Sequence, residues 1–374
     1  MTSTATKSAL TDWTVVVPVV ALAALAFSLG GELPSFAVAL VALCLAGAVL
    51  AAVHHAEVVA HRVGEPFGSL VLAVAVTVIE VALIVTLMAD GGPGTSTLAR
   101  DTVFAAVMIT CNGIVGISLL VGALRNRVAV FNAEGSGAAL ATVATLATLS
   151  LVLPTFTTSK PGPEFSTAQL GFAAVASLAL YGLFIAVQTV RHRDYFLPVE
   201  TKRPKKAVPS VDGDDEDHAE PPTARAALIS LGLLLVALVA VVGNAKAVSP
   251  TIESGVARAG LPHAVVGVII ALLVLLPETL AAVRAARRNR VQTSLNLGYG
   301  SAIASIGLTI PAIALASIWL SGPLTLGLGP THMVLLALTV VVGALTIVPG
   351  RATLLQGGVH LVLLASYLFL AVSP

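Results

Sequence analysis

The 374-residue chain is 57% hydrophobic and only 10% charged, with a formal net charge of +1. Such a composition excludes a soluble globular domain and gives no footing for nucleic-acid binding, while apolar runs of about 20 residues are too long for barrel strands; what remains is a polytopic helical membrane protein. The two cysteines, Cys44 and Cys111, both lie inside apolar runs, offer no disulfide framework and read as packing residues.

In chain order, apolar segments lie near residues 13–30, 34–53, 67–89, 102–124, 138–156, 167–190, 225–248, 262–283, 295–320, 326–348 and 352–372. They predict eleven transmembrane helices in an all-α fold. Lys7 precedes the first segment, and no small-x-small cleavage site follows Gly30, Gly31 and Glu32, so no cleavable signal is expected. Placing the N-terminus inside puts sixteen of the 20 Lys and Arg in cytoplasmic segments, leaving Arg100, Lys160, Lys246 and Arg258 outside. Positive residues accumulate on the cytoplasmic side, so an internal N-terminus and an external C-terminus are expected.

The chain also repeats itself. AEVVAHRVGEP at 56–66 and IESGVARAGLP at 252–262 both read E-x4-R-x-G-x-P. A long apolar run follows each and carries one carboxylate, Glu80 in VAVTVIEVALIV and Glu278 in ALLVLLPETLAA. Counted from the proline at about 1.5 Å per residue, each glutamate sits roughly 21 to 24 Å into its helix, near the middle of a bilayer core of about 30 Å. A lone carboxylate there costs about 2.5 kcal/mol or more, so both are candidate functional residues.

The repeat predicts four parts: an N-terminal helix (1–33), a five-helix unit (34–190), a linker (191–224) and a second five-helix unit (225–374). An odd number of spans per unit inserts the two upside down relative to each other, a common plan of secondary transporters with a polar midplane site. Glu57 with Arg62 then marks the inner mouth and Glu253 with Arg258 the outer one. The linker runs from RHRDYFLPVETKRPKK to VDGDDEDHAEPP, too polar to bury a core, and is expected to be largely disordered. Its Asp212 to Asp217 run lacks EF-hand spacing. HHAEVVAH, with His54, His55 and His61, is not H-E-x-x-H and reads as an interfacial histidine cluster. Arg284, Arg287, Arg288 and Arg290 read as headgroup anchors.

A hard dication needs about six to eight oxygen ligands. Glu80 and Glu278 can supply charge, and the next polar helix of each half can supply neutral oxygens: Thr110 and Asn112 in the first, Asn296, Ser301 and Ser305 in the second. Gly113, Gly116, Gly298 and Gly300 would let helices approach closely. Two nearby carboxylates cannot both stay charged without a cation, so protons become the alternative occupants of the site. No nucleophile or hydrolytic constellation accompanies them, so neither an enzyme nor a cofactor is expected.

GEPFGSLVLAVAVTVIE at 64–80 and PETLAAVRAARRNRVQTSLNLGYGSAIASIGLTIP at 277–311 resemble the cation/proton exchanger branch of the calcium/cation antiporter superfamily, and within it the bacterial ChaA-type calcium/proton antiporters. The resemblance implies glutamates that bind cation and protons in turn, and export of cytoplasmic Ca2+ in exchange for H+. Sodium or potassium is the alternative cation and a passive channel the alternative mode. It makes Asn112 and Ser301 equivalent positions, and gives lipid and the transported ions as partners, with oligomeric state open. Many members place Gly-Asn a few residues before each glutamate. Here Val76-Thr77 and Val274-Leu275 stand in those places.

Overall fold

The computed structural model describes residues 12–28, 34–64, 67–89, 94–199, 222–320 and 322–374. The first half holds α1 (Trp13–Ser28), α2 (Ser35–Val63), α3 (Phe67–Ala89), α4 (Thr95–Asn126), α5 (Ala133–Thr155) and α6 (Thr167–Arg191). The second holds α7 (Ala224–Arg258), α8 (Ala264–Arg287), α9 (Val291–Ala316), α10 (Pro330–Ile347) and α11 (Leu354–Val372). All eleven apolar runs are helical. Among the described residues, ten helices are long and apolar enough to cross a membrane, and α1 is a shorter apolar helix of 16 residues.

Two helices are longer than expected. α2 continues past residue 53 to Val63, and α7 past 248 to Arg258, so Glu57, Arg62, Glu253 and Arg258 ride on helix ends and not in loops. Neither stretch contains a breaker strong enough to stop it, since bundle packing carries α7 through Pro250. Termination comes at the glycine of each repeated motif, Gly64 with φ 74° and Gly260 with φ 68°. A side chain would strain that backbone, which is why both copies of the motif carry Gly at this point. Pro66 of the first motif lies outside the described residues.

The inverted relation of the halves is visible in their loops. After α4, β1 (Ala129–Val130) pairs antiparallel with β2 (Arg351–Ala352), which follows α10. On the other face, Glu164 after α5 bridges Thr325 after α9. Exchanging the two halves converts one pairing into the other, as an upside-down repeat requires. α4 and α9 form the centre: Phe104, Met108, Ile114 and Leu119 of α4 and Leu295, Tyr299 and Ile303 of α9 are fully buried. Glycines permit close contact, as small residues do between membrane helices. A Cβ added at Gly116 would lie 3.0 Å from His360 on α11, and one at Gly113 3.0 Å from Leu364. Gly298 likewise faces α4, but Gly300 meets nothing and serves no helix contact.

α1 shows how a proline and a histidine complement each other. Pro18 has no N–H, so the Thr14 carbonyl one turn earlier loses its helical donor. His55 of α2 fills the gap, its Nε2 lying 2.8 Å from that carbonyl oxygen. Asn244 of α7 donates to Ala21 O at 2.9 Å and ties the other side of α1 to the bundle. His54 packs against Trp13 and His55. The histidines nearest α1 therefore dock a helix. Replacing His55 by Leu should leave the Thr14 carbonyl unpaired, at a cost of about 1–3 kcal/mol, read as a lower melting temperature in detergent; an unchanged value would remove this role.

The start of the expected linker is packed. Residues 193–196 form a turn of 3-10 helix, and Phe196 is buried edge-on against Phe184. Its carbonyl accepts a hydrogen bond from Asn296 Nδ2 at 2.6 Å. The aromatic pair YF, embedded in a basic run, supplies enough apolar surface to hold this end down despite the polar composition. Residues 200–221, including Asp212 to Asp217, lie outside the described residues.

Candidate functional site

α3 brings Glu80 and α8 brings Glu278 to the wall of one cavity of about 360 Å³. The cavity is mostly apolar, with Thr77, Asn296, Ser301 and Ser305 among its few polar groups. It runs from the glutamate pair toward Leu72 at the start of α3, Gln188 at the end of α6 and Thr293 at the start of α9. By the alternation of spans these three helix ends lie on one face of the bundle.

Glu80 is only 4% exposed. One carboxylate oxygen accepts from Ser305 Oγ at 2.7 Å and the other from Thr309 Oγ1 at 3.3 Å. Residues 305 and 309 are one helical turn apart on α9 and so present both hydroxyls from the same side. Glu278 is held differently: its Oε2 is buried and has no hydrogen-bond partner among the described residues. It lies within electrostatic range of Glu80 and of Glu57, which is exposed on α2. Two ionised carboxylates sharing an apolar cavity repel each other, and a bound cation or proton relieves the repulsion. Burying a charge without a partner is costly, so the free Glu278 oxygen is where such an occupant gains most.

The structure thus gathers Glu80, Glu278, Ser301, Ser305 and Asn296 around one space. It places Asn112 and Thr110 elsewhere. Asn112 sits on the π-helical turn Ile109–Ile114 of α4, fully buried. Its amide donates to Thr339 Oγ1 at 2.9 Å, and its oxygen lies 3.1 Å from His360 Nδ1. Thr110 donates back to Ala106 O within its own helix. The two mouth residues also differ, for Glu253 accepts from Ser249 on its own helix at 3.0 Å while Glu57 sits near the site. At the positions where related exchangers carry Gly-Asn, both helices run on unbroken and Val76, Thr77, Val274 and Leu275 face the cavity.

Sequence reasoning missed Thr309, although its four-residue spacing from Ser305 was a readable signal. It also passed over Thr77 and Gln188, whose lining role depends on helix rotation. His360 was visible as a lone ionisable residue in an apolar run.

Comparison with known proteins agrees with the fold. The family described as sodium/calcium exchanger protein matches residues 33–190 and 229–373. The chain is 46% identical over 369 residues to y4hA of Sinorhizobium fredii, which carries the name of an ionic transporter, covering 97% of this chain and 96% of that one. It is 34% identical over 368 residues to the sodium-potassium/proton antiporter ChaA of Escherichia coli K12, covering 97% of each. Its fold is similar to the crystal structure of the H+/Ca2+ exchanger CAX, with a TM-score of 0.67 at 16% identity, covering 95% of this chain and 86% of that one.

Proposed function

The chain belongs to the sodium/calcium exchanger protein family, and on that premise we propose that it is a secondary antiporter that exports cytoplasmic Ca2+ in exchange for H+. The observation that carries the reading is the meeting of Glu80 and Glu278, one from each half of the repeat, in a single cavity with hydroxyl groups and an unpartnered carboxylate oxygen. A pair of ionised carboxylates carries two negative charges. One calcium ion cancels both, and so do two protons, which makes the two cargoes mutually exclusive. The site has Glu80 and Glu278 as charged ligands and proton carriers, Ser301 and Ser305 as neutral oxygens, and water completing the shell. Asn112 is a ligand only where the bundle rearranges to expose it. Glu57 gathers cations at the open mouth, and Glu253 is its counterpart at the closed one. The cavity opens on the face where most Lys and Arg lie, the cytoplasmic side if the N-terminus is inside, in a bacterial cell membrane.

The helix at 1–33 stands outside two five-helix units, 34–190 and 225–374, that act as the opposed halves of an alternating-access machine, joined by the segment 191–224. In support, the family match falls in two blocks, one in each half.

A second reading, exchange of sodium or potassium for protons at the same site, is favoured by the 34% identity to an antiporter named for those ions. The absence of side-chain amides at residues 76–77 and 274–275 also favours it, because it leaves fewer oxygens for a dication. Sealed vesicles with an imposed pH gradient separate the readings. Calcium accumulating against its gradient is the expected result. Uphill sodium or potassium without calcium would establish the second reading, and flux that only follows each ion's own gradient would mean a channel.

A further inference from the structure

The cavity occupies only one of the two places that the repeat allows. Equivalence of Asn112 with Ser301 maps Gly300, Ser301 and Ser305 of α9, which line the cavity, onto Cys111, Asn112 and Gly116 of α4. None of these three lines it, and all are buried, Cys111 at 1% and Asn112 at 0% exposure. The neighbouring helices differ in the same sense. α6 presses on α9 at Gly307, where a Cβ would lie 2.8 Å from Tyr181, and borders the cavity beside Gly300 and Ser301. Its counterpart α11 instead presses on α4 at the mapped position Gly116 itself, and a Cβ at Gly357 would lie 2.7 Å from Leu120 N. One half of the pseudo-symmetric pathway is open and the other is sealed.

The seal contains one small polar network. His360 of α11 is fully buried. Its Nδ1 lies 3.1 Å from Asn112 Oδ1, and its Nε2 lies 3.2 Å from Thr346 Oγ1. An amide oxygen only accepts, so Nδ1 carries the proton and Nε2 accepts from the Thr346 hydroxyl. Asn112 Nδ2 in turn donates to Thr339. The ring therefore fixes which way the Asn112 amide points and fastens α11 to the π-helical turn of α4. A π-turn inside an α-helix is a common mark of a functional position.

We propose that His360 is a positioning residue of the exchange cycle, holding Asn112 inside the sealed half while the other half is open. When α11 parts from α4, the His360–Asn112 bond breaks and Asn112 takes, beside the glutamate pair, the place that Ser301 has here. The inference rests on the antiport reading for its purpose, but the latch itself is a matter of which helices are apart. An interaction made in only one of two states sets their populations.

Native Cys111, the counterpart of cavity-lining Gly300, is the reporter. In a Cys44→Ser protein in sealed vesicles, a membrane-impermeant methanethiosulfonate reagent is applied from each face. With His360→Ala, Cys111 should react faster from the face opposite the cavity by about tenfold, the population shift expected from losing one hydrogen bond. His360→Gln, which can still donate to Asn112, should restore much of the wild-type rate. Ala304 also lines the cavity; Ala304→Cys, in the Cys44→Ser/Cys111→Ser background, should lose reactivity from the cavity face as Cys111 gains it from the other, which a loosened fold would not produce. An unchanged Cys111 rate in His360→Ala, or a rise from both faces alike, overturns the proposal. Labelling needs no transported ion, so a wild-type protein that drives no cation uphill yet shows this labelling pattern would sink the antiport reading and leave the latch standing.

Discussion

Replacing Glu80 or Glu278 by Gln should abolish proton-driven calcium exchange while leaving the protein folded. Gln keeps the shape and, at Glu80, an oxygen that still accepts from Ser305 or Thr309, so melting temperatures should stay close to wild type. The charge is what is lost. At an effective dielectric near 20, a carboxylate about 4 Å from a dication contributes roughly 8 kcal/mol before desolvation, twice the single-charge figure. Even if desolvation and water cancel most of this, the few kcal/mol that remain mean a hundredfold or greater loss of affinity. The double variant should be little worse than either single one if the pair acts, as proposed, as a unit around one ion. Sodium needs only one carboxylate for balance, so a single variant that keeps sodium/proton exchange while losing calcium would point to the monovalent reading. Flux of both ions in vesicles, at matched expression, is the measurement. Near-normal calcium exchange in either single variant would make that glutamate structural and remove the proposed site.

Much of this arrangement was legible because the physics behind it is local. A run such as VAVTVIEVALIV must satisfy its own backbone hydrogen bonds in lipid, so the eleven apolar stretches became helices near their expected places, with Glu80 and Glu278 deep inside. The far ends of α2 and α7 were misread for the opposite reason. HHAEVVAHRV and SPTIESGVAR are polar enough to look like loop, yet nothing in them stops a helix before Gly64 and Gly260. Which neutral residues face the cavity depended on helix rotation and on which half is open. On the proposed equivalence Ser301 and Asn112 hold matching places in the repeat, but only Ser301 lines the space, since α11 packs on α4 at Gly116 while α6 borders the cavity beside Ser301. No single sequence encodes which of two pseudo-symmetric halves is parted. The same limit hid Phe196, whose burial depends on Phe184 and Asn296 from distant helices.

Filling the cavity should stop transport without unfolding the bundle, and a glycine marks the place to do it. Gly300 lies along α9 between Thr293 near the mouth and Ser305 at the glutamates, and all three line the space. A Cβ added there meets no atom within 4 Å and Gly300 lines the cavity, so the ring of Gly300→Phe is expected to enter the cavity. Overpacking costs about 1–3 kcal/mol only where side chains are already in contact, and here they are not. The expected result is an unchanged melting temperature with calcium and sodium flux at background. Gly267→Ala is the opposing control. Its Cβ would stand 2.9 Å from Thr102 N on α4, a backbone atom that cannot swing away, so this smaller change should lower the melting temperature while flux per folded molecule persists. The contrast separates blocking a path from loosening a fold. Gly300→Phe that transports at the wild-type rate would mean that the ions do not pass through this cavity, whatever the glutamates do.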